Sequence, residues 1–198
     1  MKILIIGSSY CKHLKNFDRH HHKQIHGINT EFVYRDFSGK SFDYFLQRPF
    51  LIDEVLKEEP DYILSIFGGN SISTTVPKKL VLENCRDFYN LLSDKAKSVN
   101  PHCKIVASQV PLRFIYTPNK HNTPAPAELK KFRNSINHKL RSVRGVDHIL
   151  NIGGPGRLDN ETLYRDGIHF NNTGLRLQLE LIVAYFSRLV AGSQAGAP

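Results

Sequence analysis

Residues 2–14 read KILIIGSSYCKHL, and this stretch decides the fold. Residues 3–6 form a short, continuous apolar run that ends at Gly7-Ser8-Ser9, as expected of a strand covered on both faces. The residues after Ser9 can begin a helix. A serine at a strand-to-helix turn presents its hydroxyl at the carboxyl edge of the sheet, where open α/β folds bind ligands. Taken alone, the turn is more typical of serines that merely cap a helix.

The same alternation of apolar runs and helical stretches continues along the chain and predicts an α/β domain with a mainly parallel, five-stranded sheet. Between the strands, a helix is predicted at about residues 127–143, because apolar side chains recur there at steps of three and four. Further helices are predicted at 78–97 and 174–190. The five predicted strands are residues 2–6, 32–36, 62–67, 104–110 and 148–152.

Length and composition predict one soluble globular domain over residues 1–190, followed by a disordered tail at 191–198. Hydrophobic residues make up 40% of the chain and charged residues 23%, which is typical of a globular protein. The three cysteines, Cys11, Cys85 and Cys103, are odd in number, widely spaced and without a C-x-x-C pair, so they indicate neither a disulfide framework nor a zinc site. Together with the absence of a long apolar segment, they favour an intracellular, cytoplasmic location.

A second chemical signal is Asp166-Gly167-Ile168-His169, close to the last predicted helix. A serine hydroxyl is a poor nucleophile until an imidazole takes its proton, and the imidazole needs a carboxylate to fix its tautomer. Asp166 and His169 are near enough in sequence to pair directly. On its own, such a pair is also compatible with an ordinary surface loop.

Two glycine-containing turns follow the second and third predicted strands. They hold Gly39, in Phe37-Ser38-Gly39, and Asn70, in Gly68-Gly69-Asn70-Ser71. A backbone N–H and an asparagine amide are the donors that an oxyanion hole requires. Both segments could also be simple turns, because Gly and Asn suit positive φ angles.

The ordered set of Gly-x-Ser, a lone Gly, Gly-x-Asn and Asp-x-x-His before a last helix resembles the SGNH/GDSL hydrolase superfamily, over nearly the whole chain. The resemblance implies a three-layer α/β/α sandwich and a serine esterase that acts on acetyl or lipid acyl esters without a metal or an organic cofactor. It implies that Ser9 is the nucleophile, that His169 is the base and that Asp166 orients the base. Ser9, Gly39 and Asn70 would then form the oxyanion hole.

The sequence departs from this pattern at two positions. Ser8 and Ser71 stand where many members of the superfamily have aspartate. Neither position transfers protons, so the chemistry is expected to survive. Ser8 is nevertheless a rival for the role of nucleophile, although Ser9 takes the position that the motif assigns.

The formal charge of +9 leaves a second interpretation open, a nucleic-acid-binding or scaffold module that uses a basic face, or a contact with an anionic membrane surface. SGNH-like domains occur beside RNA-binding parts in first-open-reading-frame proteins of some LINE retrotransposons. This chain resembles those domains in keeping the complete triad pattern. The basic face would comprise Lys130, Lys131, Arg133, Lys139, Arg141 and Arg144.

The run Arg19-His20-His21-His22-Lys23 is interpreted as a solvated loop rather than a metal site. Consecutive histidines rarely converge on one ion, and no spaced cysteine or carboxylate accompanies them.

Overall fold

The computed structural model describes residues 1–25, 27–72, 76–111, 126–152 and 158–195, with the backbone alone at 126 and 193–195. The strands are β1 (Lys2–Gly7), β2 (His22–Ile25), β3 (Ile28–Asp36), β4 (Tyr62–Ile66), β5 (Lys104–Ser108) and β6 (His148–Leu150). The helices are α1 (Ser9–Phe17), α2 (Phe42–Leu46), α3 (Phe50–Leu56), α4 (Lys78–Val99), α5 (Pro126–Leu140) and α6 (Asn172–Ala195). Short 3-10 turns lie at Gly69–Ser71 and Glu161–Leu163.

The strands form one sheet in the order β2-β3-β1-β4-β5-β6. All neighbouring strands run parallel except β2, which is antiparallel to β3 at the edge. The five predicted strands are therefore present, and β2 is an additional one. Its residues include part of the histidine run, so the interpretation of that run as a loop is wrong at His22 and Lys23. Within β2 only Ile25 is buried, because an edge strand has little apolar surface to cover, and no alternating pattern marks it.

Helices cover both faces of the sheet, which confirms the three-layer α/β/α architecture. Along β1, Leu4 and Ile6 pack in a core shared with α2, α3, α4 and α5, while Ile3 and Ile5 pack in a second core with α1 and α6. Successive strand residues point to opposite faces, so a strand covered on both sides must be apolar throughout. This requirement explains the uninterrupted run at residues 3–6.

The predicted helices are also confirmed, and the apolar stripe of α5 and the turn after it is buried. The helices α2 and α3 were not predicted, because helices of five and seven residues are too short to show a clear 3.6-residue period. The last helix continues to Ala195, into the segment predicted to be disordered. No helix in the described part of the chain is long and apolar enough to span a membrane. The buried apolar stripe of α5 and the turn after it consists of Leu129, Phe132, Ile136, Leu140 and Val143.

Strand β1 lies at the topological switch point of the sheet. From β1 the chain first adds β2 and β3 on one side and then β4, β5 and β6 on the other. At its carboxyl end, the carbonyl of Gly7 accepts a hydrogen bond from Phe37 N–H at 2.7 Å. On the other side, Ser8 N–H donates to the carbonyl of Ile66 at 3.3 Å. Ligands of open α/β sheets bind at such a switch point. The three loops that leave this point carry Ser9, Gly39 and Asn70.

Gly68 opens the Asn70 turn in a conformation that only glycine adopts easily. Its φ is +111°, and a Cβ at this position would lie 2.5 Å from Val110 Cγ2. Val110 cannot easily move away, because its N–H donates to Asn137 Oδ1 at 2.8 Å and its carbonyl accepts from Arg133 Nε at 2.8 Å. Helix α5 thus fixes the wall against which the turn packs.

We expect Gly68→Ala to lower the free energy of unfolding by about 1–3 kcal/mol, through backbone strain and the clash with Val110. Urea denaturation followed by circular dichroism measures the change. The matched control is Gly192→Ala in α6, where an added Cβ meets nothing within 4 Å, and this substitution should be neutral or slightly stabilising. Equal stability of Gly68→Ala and wild type would contradict this account of the turn.

Candidate active site

Ser9 is the first residue of α1, and its Oγ lies 3.1 Å from His169 Nε2. The preceding Ser8 is 1% exposed, whereas Ser9 is half-buried. Of the two serines, Ser9 is the one whose hydroxyl reaches the imidazole. The turn thus brings together two side chains that are 160 positions apart in sequence.

Asp166 holds the other side of the imidazole. Its Oδ2 lies 2.8 Å from His169 Nδ1, and its Oδ1 accepts the backbone N–H groups of Ile168 at 2.9 Å and His169 at 2.6 Å. With the Nδ1–H directed at the carboxylate, Nε2 is left as the acceptor for the serine hydroxyl. Burial acts to raise the pKa of Asp166, but the hydrogen bonds from the backbone and ring of His169 and from Ile168 outweigh it. The pKa of Asp166 is therefore held well below its usual value.

The loop that carries this pair is tightly closed. Tyr164 and Phe170 form an antiparallel bridge, and Arg165 N–H donates to the carbonyl of His169 at 2.9 Å. Gly167 at the loop tip has a φ of +70°. After the loop, Asn171 caps α6, since its Oδ1 accepts the N–H of Gly174 at 3.0 Å. The short Asp-x-x-His spacing thus belongs to a hairpin-like loop that is anchored at the start of the last helix.

Tyr10 links this loop to the serine turn, and sequence reasoning missed it. Its hydroxyl donates to the carbonyl of Ile168 at 2.5 Å, and its ring lies 5.3 Å from that of Phe170, measured between centroids. The side chain is 2% exposed. Tyr10 therefore ties the helix that begins with Ser9 to the loop that carries His169. The only signal in the local sequence is an aromatic residue directly after the serine, and this signal is weak.

The two turns with the expected oxyanion donors lie against each other. Gly39 has a φ of +78°, and Asn70 Nδ2 donates to the carbonyl of the adjacent Lys40 at 3.3 Å. A second tie comes from Ser71, whose Oγ accepts the backbone N–H of Phe42 at 3.3 Å. The serine that replaces the common aspartate therefore helps to hold the Asn70 turn to the start of α2.

The expected basic face is only partly a surface. Arg133 is 6% exposed, and its Nη2 binds Asp159 Oδ1 at 3.0 Å. Its assignment as a nucleic-acid contact is wrong, because it lies on the inward side of α5 and supports the loop at Val110. Arg144 lies 3.4 Å from the carboxylate of Asp94. The remaining members are exposed or, for Lys139, half-buried: Lys130, Lys131, Lys139 and Arg141.

The lowered pKa of Asp166 predicts a pH dependence of stability. A carboxyl group whose pKa is lower in the folded state stabilises the protein above its unfolded-state pKa, and this contribution is lost as the pH falls toward the folded-state value. The stability difference between wild type and Asp166→Asn should therefore shrink as the pH is lowered below about 4. Denaturant unfolding of both proteins over this range provides the measurement. A difference that is the same at every pH would mean that Asp166 does not titrate in this way.

No protein-family model matches the sequence, and no curated protein matches it. Solved structures do match. A GDSL-like lipase from Bacteroides thetaiotaomicron is 15% identical, with a TM-score of 0.65 over 97% of this chain and 88% of that one. An acetyl xylan esterase is 16% identical, with a TM-score of 0.62 over 93% and 99%. An acetylxylan esterase from Geobacillus stearothermophilus is 12% identical, with a TM-score of 0.56 over 92% of each chain. The chain thus has the fold of GDSL-like hydrolases, as its motifs predicted.

Proposed function

We propose that the protein is a serine esterase that hydrolyses carboxyl esters, with Ser9 as the nucleophile, His169 as the general base and Asp166 as the residue that orients it. The observation that carries the proposal is the continuous chain of contacts from Ser9 Oγ to His169 Nε2 at 3.1 Å and from His169 Nδ1 to Asp166 Oδ2 at 2.8 Å. A hydroxyl, an imidazole and a carboxylate in this order form the arrangement that activates a serine.

In the first half of the reaction, Ser9 Oγ attacks the acyl carbon while its proton passes to His169 Nε2. The carbonyl oxygen becomes an oxyanion. His169 then gives the proton to the alcohol oxygen, the bond between this oxygen and the acyl carbon breaks, and an acyl-serine remains. In the second half, water attacks the acyl carbon and its proton goes to His169. The imidazole finally returns a proton to Ser9 Oγ, and the carboxylic acid leaves.

The oxyanion is stabilised by groups from the three loops that meet at β1. The backbone N–H of Ser9 lies in the first turn of α1, where N–H groups have no partner within the helix. Gly39 N–H and the Asn70 side-chain amide are the further donors. The hydrogen bond from Asn70 to Lys40 fixes the amide relative to the Gly39 turn before substrate binds, which reduces the cost of reorganisation in the transition state.

Short acyl groups suit the site best. A cavity of about 180 Å³ lies beside Asn70, between the start of α2 and α4. This volume is below the range of about 300–1,000 Å³ of pockets for drug-sized ligands. Two of the structural neighbours are named acetyl xylan esterases, which favours acetyl esters further. The described residues that line the cavity are Ser41, Phe42, Asp43, Asn70, Ser71, Val76, Val81 and Asn84.

Hydrolysis of 4-nitrophenyl acetate tests the proposed nucleophile. Ser9→Ala should lower kcat/KM by about 10³-fold or more, because the attacking oxygen is lost. The matched control is Ser8→Ala, which removes the neighbouring hydroxyl and should retain most of the activity. Equal rates in wild type and Ser9→Ala, or loss of activity only in Ser8→Ala, would overturn the assignment.

Chain-length preference tests the small acyl cavity. We expect kcat/KM for 4-nitrophenyl acetate to exceed that for the octanoate ester by about tenfold or more, because the longer chain cannot enter the cavity. The two esters share one leaving group, so the comparison isolates the acyl part. A preference for octanoate would contradict the assignment of the cavity to the acyl group.

Tyr10→Phe tests whether the tyrosine hydroxyl positions the base. Loss of its hydrogen bond to Ile168 should lower kcat several-fold and leave KM nearly unchanged, because this bond ties down the loop that carries His169. Tyr185→Phe, on the half-buried side of α6, is the control and should behave like wild type. If Tyr10→Phe keeps its kcat, or loses only stability, the residue has no positioning role.

A further inference from the structure

A groove of about 500 Å³ runs along α1 on the side of the catalytic histidine. One wall is formed by α1 and the residues just after it, and the other by the Asp166 loop and the first turn of α6. Two arginines and a histidine line it, and none of its described lining residues carries a carboxylate. The lining residues are His13, Asn16, Phe17, Arg19, Arg165, Asn172 and Leu175.

The groove is in direct contact with the catalytic base. The ring of His13 meets the ring of His169 edge-on, with 4.9 Å between their centroids. Arg165 Nη2 lies 3.0 Å from His13 Nε2, and Arg165 Nε lies 3.8 Å from Asp166 Oδ2. His13 is one helical turn from Ser9 and therefore about 6 Å along α1, and the groove continues from there toward Arg19.

The positive charge of the groove comes from its arginines. His13 accepts a hydrogen bond from Arg165, which requires an unprotonated Nε2 and hence a neutral ring. In agreement, burial and then the charges of Arg165, His169 and Lys12 lower the pKa of His13. The Arg165 side chain is 51% exposed, so its guanidinium can reach a ligand.

The nearby carboxylates are already engaged. Asp166 binds His169, while Asp18 is buried and binds Lys23 at 2.5 Å and the Tyr34 hydroxyl at 2.6 Å. Within the described part of the chain, no carboxylate lies within 4.0 Å of a nitrogen of the Arg19 side chain. The positive end of the α6 dipole, at Asn172, adds to the field. The groove therefore carries the charge of Arg19, which has no carboxylate partner among the described residues, and that of Arg165, which shares Asp166 with His169.

We propose that this groove binds an oxyanion, a carboxylate or a phosphate, carried on the alcohol part of the ester substrate. The inference rests on the proposed esterase function, and it names the substrate class. His169 must deliver its proton to the leaving alcohol oxygen, so the alcohol lies on the imidazole side of the site, whereas the acyl oxygen lies toward Gly39 and Asn70. The groove begins on the same side as the imidazole.

A bound anion also favours the chemical step. When His169 takes the serine proton, its ring becomes a positively charged imidazolium beside Asp166. The positive charge of Arg165 destabilises that imidazolium. An anion in the groove offsets Arg165 and leaves Asp166 to stabilise the imidazolium. Planar guanidinium groups also suit bidentate binding of carboxylate and phosphate. An anionic alcohol should therefore improve both binding and turnover.

The test compares acetyl esters of benzyl alcohols whose para substituent is anionic or neutral. The substrates are 4-(acetoxymethyl)benzoate, its neutral benzamide analogue and 4-(acetoxymethyl)phenyl phosphate, with products quantified by chromatography. We expect kcat/KM to be about tenfold higher for an anionic ester than for the benzamide. The carboxylate and phosphate arms show which oxyanion is preferred. Arg19→Gln and Arg165→Gln should each lower the anionic-to-neutral ratio several-fold.

The matched control is Arg188→Gln, which removes an exposed arginine of α6 four turns away from the groove and should keep the wild-type ratio. Equal rates for anionic and neutral esters in wild type, or a ratio that Arg19→Gln and Arg165→Gln do not change, would overturn the inference. In that case Ser9-dependent hydrolysis of the benzamide ester would still support the proposed function.

A binding measurement tests the groove without turnover. In Ser9→Ala, titration with 4-(hydroxymethyl)benzoate should shift the NMR signals of the His13 ring, and the added Arg19→Gln substitution should weaken the binding several-fold. The neutral 4-(hydroxymethyl)benzamide should have no such effect. Absence of a His13 response, or equal responses to the acid and the amide, would contradict anion binding in the groove. This outcome is independent of whether the ester is hydrolysed.

Discussion

The site depends on the hydrogen bonds that join the carboxyl end of β1 to both neighbouring strands. Gly7 accepts from Phe37 on the β3 side, and Ser8 donates to Ile66 on the β4 side. These bonds fix where the serine turn begins relative to the loops that carry Gly39 and Asn70. Because all three strands are parallel, their loops leave the same edge of the sheet. Residues far apart in sequence thereby become neighbours at this edge.

The second half of the site is built by local closure of a loop. Both carboxylate oxygens of Asp166 are used, one for backbone N–H groups and the other for the His169 ring, so that one side chain shapes the loop and fixes the imidazole. Tyr10 then joins this loop to the serine turn through Ile168. The Tyr10 hydroxyl thus helps to hold the loop that carries His169 against the turn that carries Ser9.

Much of this arrangement could be predicted from the sequence, because the buried strands and the α5 stripe follow strict periodicities and the proposed site residues follow strand ends. The exceptions have physical causes. Strand β2 buries only Ile25, so it shows no pattern. Arg133 is charged yet buried, because Asp159 from a distant segment neutralises it. The contact between His13 and Arg165 joins residues 152 positions apart, and no local pattern can reveal it. The nucleic-acid role of the exposed lysines of α5 stays a prediction.

The central claim is that His169 activates Ser9 as a nucleophile, and covalent labelling with a fluorophosphonate tests it most directly. The Ser9 oxygen would displace fluoride from phosphorus while His169 takes the serine proton. The account predicts one adduct per chain by intact-protein mass spectrometry, located on Ser9 by peptide mapping, and labelling at least about 10²-fold slower in His169→Gln. Labelling of Ser8, no adduct, or equal labelling rates in wild type and His169→Gln would contradict it.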